Sequence, residues 1–103
     1  MLKDEASSAH APDLLHDKAA GRFSKRSAPQ SAFITYYWRD VVMVLDHIEV
    51  SPSLRGTGAG ARFAQEVFET VQNEPQEIRL TCPFLRRVAS SRPEWRKKFN
   101  LGA

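Results

Sequence analysis

A histidine and a glutamate stand two positions apart, at His47 and Glu49, in an apolar segment over residues 41–50. Two strand residues at that spacing project from one face, about 7 Å apart. Imidazole titrates near neutral pH, so His47 is suited to accept a proton, and Glu49 is suited to orient the ring or to act through water. The same spacing also fits a surface histidine beside a solvated carboxylate. His47 and Glu49 are therefore candidate catalytic residues.

Cys82 is the single cysteine of the chain, and Pro83 follows it. Proline is favoured in the first turn of a helix, so we expect the thiol at a helix N-terminus, where the thiolate is favoured. Cys82 could then act as a nucleophile or line a pocket; a buried thiol that packs as a small apolar side chain is the alternative. One cysteine excludes an internal disulfide and a cysteine-cluster metal site, and we predict no metal centre.

A glycine-rich turn over residues 55–60 precedes a helical pattern. Glycine lets the main chain approach a phosphate closely, and the free N–H groups and dipole of a helix N-terminus favour an anion. An arginine at the mouth can add a charge-assisted contact. The alternative is a tight turn that only packs the helix on the sheet. The predicted phosphate-binding residues are Arg55, Gly56, Thr57, Gly58, Ala59 and Gly60.

Two familiar phosphate motifs do not explain this turn. A Walker A loop requires a lysine, and the turn contains none. The dinucleotide fingerprint Gly-x-Gly-x-x-Gly/Ala matches Gly56, Gly58 and Ala61, but the turn does not follow its strand directly and only one strand follows the helix. A third motif, Arg-x-x-Gly-x-Gly, fits Arg55, Gly58 and Gly60.

The elements that must position these residues follow from the side-chain pattern. β-Branched and aromatic runs predict strands, apolar residues at the helical period predict a helix, and Pro83 and Pro93 predict helix starts. A break at Arg39-Asp40 predicts a hairpin. The predicted strands are residues 22–24, 32–38, 41–50 and 77–81, and the main helix is residues 58–72.

These elements predict an α/β (α+β) fold with a compact mixed sheet. Antiparallel strands come first, and a parallel βαβ unit with a right-handed crossover and C-terminal helices follows. Residues 1–21 lack a sustained period and are predicted to form a mobile N-terminal arm. Residues 22–103 are predicted to form a single domain.

Length and charge narrow the class of protein. The chain has 103 residues, which suits one domain, and a formal net charge of +3. Residues 86–103 carry six basic side chains and one acidic, so the excess charge is C-terminal. That segment suits an anionic ligand or a solvated helix face. No apolar run approaches the roughly 20 residues of a membrane span, and we expect a soluble cytoplasmic protein.

With the Arg-x-x-Gly-x-Gly turn, the chain resembles the GNAT superfamily of acyl-CoA-dependent N-acetyltransferases. That superfamily has an Arg/Gln-x-x-Gly-x-Gly/Ala turn between its central strand and its main helix. Further stretches are similar to the minimal, single-domain YidJ-like subgroup, with its His-Thr-Glu-Val, Arg-Gly-x-Gly, Cys-Pro-Phe and Arg-His-Pro-Glu-Tyr pattern. These stretches are residues 45–50, 54–56, 82–84 and 92–95, and the resemblance covers about residues 22–99.

The chain departs from the subgroup pattern at three places. Ile48 stands in place of Thr, Ser91-Arg92 in place of Arg-His, and Trp95 in place of Tyr. Ile48 faces away from His47 on the strand, so we expect little effect from that change.

The resemblance implies that coenzyme A binds as a cosubstrate and that an amine attacks the thioester carbonyl of acetyl-CoA. The turn would hold the pyrophosphate of coenzyme A. The pantetheine arm would run along the end of the central strand, at Ile48 and Val50, where a main-chain N–H polarises the carbonyl. His47, Glu49 and Cys82 would take the catalytic roles. Little chain precedes the central hairpin, so we expect an open groove that suits an exposed amine on a protein or peptide.

Two other functions stay open at this stage. One is a non-catalytic acyl-CoA-binding module on the same fold. The other is a small nucleic-acid-binding protein that uses the basic C-terminus. A chain of this size is expected to be a monomer or a weak dimer.

Overall fold

The computed structural model describes residues 13–102. The strands form one five-stranded sheet in the order β1-β2-β3-β4-β5, with β1 to β4 antiparallel and β5 parallel to β4. This confirms the predicted mixed sheet with C-terminal helices. The strands are β1 Leu14–Asp17, β2 Arg22–Lys25, β3 Ala32–Arg39, β4 Val42–Val50 and β5 Ile78–Leu80. The helices are α1 Ala59–Val71, α2 Pro83–Ala89 and α3 Pro93–Lys98, with a 3₁₀ helix at Pro52–Leu54.

The hairpin between β3 and β4 turns one residue later than predicted. Arg39 pairs with Val42, so the turn residues are Asp40 and Val41. Asp40 adopts a φ of 55°, in the left-handed region that Asp tolerates better than most residues. Val41 looked like a strand residue because it is β-branched, but it is 77% exposed in the turn.

The sheet begins earlier than the sequence indicated. Residues 1–12 of the predicted mobile arm lie outside the described residues, and the remainder contains β1, which pairs with β2 along its whole length. Leu14 is buried, and the Asp13 carboxylate accepts hydrogen bonds from the N–H and hydroxyl of Ser27 at 2.7 and 2.8 Å. A four-residue edge strand with one buried residue is held mainly by pairing, so its side-chain pattern gives little signal.

The core lies between one face of the sheet and the helices. The predicted apolar face of α1 is buried in this core, which confirms the helical periodicity. Trp95 of α3 is also buried, and its Nε1 donates a hydrogen bond to Gln72 Oε1 at 2.7 Å. Across residues 13–102, no helix is both long enough and apolar enough to cross a bilayer.

Candidate acyl-transfer site

A β-bulge in β4 sets the direction of the candidate catalytic side chains. Thr35 pairs with His47 and Tyr36 with Leu45, so Asp46 is an extra residue on β4. The Thr35 hydroxyl donates a hydrogen bond to Asp46 Oδ1 at 2.9 Å. The bulge interrupts the alternation of faces. Leu45 is therefore buried in the core, while His47, two positions further along the strand, is exposed.

Beyond the bulge, β4 loses its neighbour on one side. β4 pairs with β5 only over Met43 to Leu45, and the last main-chain bond runs from Thr81 N–H to Leu45 O at 3.1 Å. The chain then enters α2, and a groove of about 380 Å³ separates the end of β4 from the start of that helix. The groove is lined by His47, Ile48, Glu49, Val50, Arg55, Cys82, Pro83 and Phe84.

The main chain of β4 faces this groove at alternate residues. Ser51 N–H donates to Ser31 O on the β3 side at 2.8 Å. Antiparallel alternation then directs the N–H and C=O of Glu49 toward β3 and those of Ile48 and Val50 toward the groove. Val50 O accepts a hydrogen bond from Arg55 Nε at 3.2 Å, in agreement with that direction.

The glycine turn leads into α1 and contains main-chain N–H groups that lack a hydrogen-bond partner among the described residues. Gly58, the N-cap of α1, has a φ of 86°, which an L side chain rarely adopts. Ala59 N–H donates to Thr57 Oγ1 at 3.2 Å. In the described part of the chain, no partner is found for the N–H groups of Gly56, Gly58 and Gly60. These donors, with the positive end of the helix dipole and the Arg55 guanidinium, form a site suited to an anion.

Gly60 lies in a closely packed part of the site. A Cβ atom at this position would lie 3.1 Å from Val50 Cγ2 and 3.6 Å from Phe84 Cζ. The first turn of α1 thus approaches both β4 and α2 closely.

The glycine turn opens onto a second cavity that adjoins the groove. Its volume is about 360 Å³, and it shares Val50, Arg55 and Phe84 with the groove beside His47. We call the two together the β4–α1 groove. It runs from the glycine donors to the candidate catalytic side chains. The further residues that line the second cavity are Leu54, Gly56, Gly58, Gly60 and Ala61.

His47 and Glu49 form a pair on the outer face of β4. Nε2 of His47 lies 3.6 Å from Oε2 of Glu49, and each side chain is about half exposed. The two groups are within ion-pair distance but are not hydrogen-bonded to each other. The exposure gives an acceptor molecule access to the pair.

The match to a family model decides the class of protein. Residues 22–98 match the model described as GCN5-related N-acetyl-transferase, which is most of the chain. The chain belongs to this family. No curated protein gives a significant match. Members of the family generally use acetyl-CoA, so the GCN5-related N-acetyl-transferase assignment supports acyl transfer as the class of reaction.

In this member of the GCN5-related N-acetyl-transferase family, Cys82 lies in the same groove as His47 and Glu49. It is half-buried, it is the N-cap residue of α2, and it packs against the edge of the core. The three candidate catalytic residues, which span 36 positions of sequence, are therefore brought together.

Two residues of the predicted phosphate site have a role within the turn. The Thr57 hydroxyl donates to Leu54 O at 2.5 Å and accepts from Ala59 N–H. Neither Thr57 nor Ala59 is among the residues that line the β4–α1 groove. Their contacts hold the turn in shape, while the glycines and Arg55 face the groove.

Phe84 is a site residue to which the sequence pattern assigned no role. Its ring lines both parts of the β4–α1 groove and lies opposite Gly60. A glycine inside the first turn of a helix signals a close neighbour, but its position alone does not identify the neighbour.

The basic C-terminus is dispersed over the structure. Arg86 Nη1 donates to Leu80 O at 3.0 Å, and Arg96 Nη1 donates to Ser90 O at 2.8 Å. Lys98 Nζ donates to the carbonyl of Glu74 at 2.6 Å. Arg87 lies beside the groove, with Cζ 6.0 Å from the ring centre of Phe84. Three of the six C-terminal cations thus donate to carbonyl oxygens, and Arg92 lies 3.5 Å from the Glu69 carboxylate, which weakens the case for a nucleic-acid interface.

Proposed function

We propose that this protein is an acetyl-CoA-dependent N-acetyltransferase of the minimal, single-domain YidJ-like subgroup, with β1 as an edge strand of the one domain. The observation that carries the proposal is the continuity of the β4–α1 groove. Main-chain N–H donors suited to a phosphate line one end, and the unpaired edge of β4 lines the middle. His47, Glu49 and Cys82 line the other end.

The glycine end of the groove would hold the pyrophosphate of coenzyme A. The N–H groups of Gly56, Gly58 and Gly60 are available as donors, and a phosphate near them would also lie at the positive end of α1. Arg55 is anchored through Nε to Val50 O. Its remaining guanidinium N–H groups can then donate charge-assisted hydrogen bonds.

The strand end of the groove would hold the pantetheine arm. The arm is extended and carries amide groups, so the main-chain groups of Ile48 and Val50 can pair with it in the way that a neighbouring strand would. Phe84 would provide an apolar wall on the opposite side. The bound thioester supplies an activated acetyl group, and a main-chain N–H at this strand edge would stabilise negative charge on its carbonyl oxygen.

His47 would take a proton from the acceptor ammonium, directly or through one water, so that a neutral amine can attack. The new C–N bond replaces the C–S bond. The attacking nitrogen then loses a second proton, which the departing thiolate takes up, and His47 releases its proton to water. Glu49 would orient the His47 ring and stabilise its protonated form. Cys82 would either carry the acetyl group transiently or line the thioester pocket.

The acceptor would be an exposed amine on a protein or peptide. This proposal is supported by the position of His47 and Glu49 on an outer strand face, where both side chains are about half exposed. An amine on a large molecule could reach this face without entering a deep cavity. A monomer or weak dimer would leave the face accessible.

The test combines coenzyme A binding with acetyl transfer. Coenzyme A should raise the melting temperature of the wild-type protein, and labelled acetyl-CoA should transfer its label to at least one member of a panel of peptides and polyamines. Label that stays on the protein and disappears in Cys82→Ala would support a covalent route. Wild-type turnover in that variant would exclude it.

Two results would replace the proposal by another function. Stabilisation by coenzyme A without transfer to any amine of the panel would favour a non-catalytic acyl-CoA-binding module. No stabilisation, together with salt-sensitive DNA binding, would favour a nucleic-acid-binding protein.

A further inference from the structure

A further cavity, separate from the β4–α1 groove, lies at the opposite end of β4. Its volume is about 290 Å³. Met43 is the β4 residue that lines it, whereas the β4 residues that line the groove begin at His47. β1, β3 and the loop between α1 and β5 supply its other walls. The residues that line this cavity, here called the His16 cavity, are His16, Lys18, Tyr36, Trp38, Met43, Glu74, Pro75 and Gln76.

Aromatic rings form much of the wall of the His16 cavity. The His16 ring stacks on Phe23 with ring centres 4.2 Å apart, and His16 Nε2 lies 2.6 Å from the hydroxyl of Tyr36. These two contacts fix the orientation of the His16 and Tyr36 rings. Trp38 is 51% exposed although it is a large aromatic residue at the mouth of a cavity. An exposed indole beside two ordered rings is an arrangement that binds organic cations through the ring faces.

A carboxylate completes the cavity. Burial lowers the pKa of His16 and raises that of Tyr36. The charge of Glu74 acts on both groups in the raising direction, so it partly offsets burial at His16 and adds to it at Tyr36. Oε1 of Glu74 accepts a hydrogen bond from Gln76 Nε2 at 2.6 Å, which holds the side chain in place. Lys98 Nζ donates to the carbonyls of Glu74 and Gln76 and fixes this loop.

We propose that the His16 cavity binds a small organic ammonium group between Trp38 and Tyr36, with Glu74 as its counter-charge. The site lies apart from the β4–α1 groove and does not depend on the proposed acetyl transfer. Lys18 is the opposing charge at the rim. Lys18 is exposed, whereas the Glu74 side chain is half-buried and held by a hydrogen bond, so the more buried of the two charges in the cavity is negative.

The protonation of His16 should control this binding. Two negative charges, Glu74 and Asp17, favour the protonated form of the ring, and the positive charge of Lys18 opposes that form. The hydroxyl of Tyr36 contacts the ring at Nε2. Burial is the largest influence and lowers the pKa of His16 below its ordinary value, which favours the neutral ring near neutral pH. Protonation at lower pH would add a positive charge beside the ligand and weaken its binding.

The test is an NMR titration with tetramethylammonium chloride at pH 7.5. Sodium chloride holds the ionic strength constant, and tert-butanol serves as an uncharged probe of similar shape. Saturable shifts are expected at the Trp38 indole and the His16 ring with the ammonium ion and not with tert-butanol. The Trp95 indole, which is buried and hydrogen-bonded to Gln72, provides an internal reference. Equal shifts with the two probes, or no shifts, would overturn the proposal.

Two charge variants make the test specific because they should act in opposite directions. Glu74→Gln keeps the shape and should weaken binding, whereas Lys18→Gln removes the opposing cation and should strengthen it. Trp38→Ala should weaken binding by about two- to thirty-fold, the range of a cation–π contact. A general loss of structure could not produce a gain in one variant and a loss in the other. Unchanged affinity in Glu74→Gln would overturn the proposal.

A parallel titration with a short peptide that carries one trimethyllysine identifies the source of the ammonium group. Tighter binding of the peptide would assign the group to a protein tail, and tighter binding of the free ion would assign it to a small molecule; either result supports the cavity as an ammonium site. Stabilisation by coenzyme A should be unchanged in Glu74→Gln. If that stabilisation is absent in the wild type, the proposed function fails while this proposal stands.

Discussion

Gly60 is the residue whose replacement tests the β4–α1 groove most directly. A methyl group at this position would lie 3.1 Å from Val50 Cγ2 and 3.6 Å from Phe84 Cζ, so it would enter the passage between β4 and α2. Gly60 is an ordinary helical residue, and its main-chain N–H remains in any variant except proline. Gly60→Ala and Gly60→Val therefore change the shape of the groove without adding left-handed backbone strain.

Two opposite effects set the stability of Gly60→Ala without ligand. Alanine is favoured over glycine within a helix by about 1 kcal/mol, and overpacking against Val50 costs about 1–3 kcal/mol. The balance is a loss of about 0–2 kcal/mol, which lowers the Tm of a domain of this size by about 0–15 °C. Valine places two more carbon atoms in the same passage and should cost more.

The ligand-induced shift in Tm separates the loss of binding from this loss of stability. Coenzyme A at 100 times its Kd adds about 2.7 kcal/mol to the wild type, or about 10–20 °C. A tenfold weaker affinity in Gly60→Ala would reduce the contribution at the same concentration to about 1.4 kcal/mol, which halves the shift. In Gly60→Val the passage is closed, and we expect no shift.

Ala59→Val is the matched control for differential scanning fluorimetry with and without coenzyme A. Ala59 precedes Gly60 in the same turn of α1, but it lines a different cavity beside Lys25 and Phe63. Its variant should keep the wild-type ligand shift. A full ligand shift in Gly60→Val would refute the proposal that coenzyme A passes between Val50 and Phe84.

Three other predictions concern His47, Cys82 and His16. His47→Gln should lower kcat by about 10²- to 10⁴-fold near neutral pH and leave the shift in Tm with coenzyme A unchanged, because the ring would move a proton without holding the cosubstrate. Initial rates at saturating acetyl-CoA measure the change in kcat. A loss of coenzyme A binding would contradict the assignment. Coenzyme A should protect Cys82 from alkylation by iodoacetamide, since the thiol lines the groove. Mass spectrometry follows the alkylation. Equal alkylation rates with and without coenzyme A would indicate that coenzyme A binds elsewhere. Burial lowers the pKa of His16 from its ordinary 6.5, partly offset by Glu74, so its contribution to stability is complete above pH 6.5 and is lost as the pH falls through the lower folded pKa. Urea unfolding between pH 7.5 and 5 should show a larger loss in the wild type than in His16→Gln, and parallel curves would rule out this effect.

Much of the fold could be predicted because its signals are local. The buried face of α1 repeats at the helical period, and Pro83 and Pro93 stand in the first turns of α2 and α3. The glycine turn was also visible, because Gly58 needs a left-handed φ and Gly60 needs a small side chain. Each of these features depends on neighbouring positions of one segment, so the side-chain pattern reports it.

What the sequence by itself determined is therefore the elements from β2 onward, the glycine turn and the residue types suited to acyl transfer. Tertiary structure decided which of them meet. The extra residue Asp46 directs the His47 side chain away from the core. The alternation of faces along a strand does not predict this change of direction, because the bulge exists only through the pairing of β4 with β3. Likewise, Phe84 faces Gly60 only because α2 packs beside α1. Contacts between distant segments set these positions, and a linear pattern does not record them.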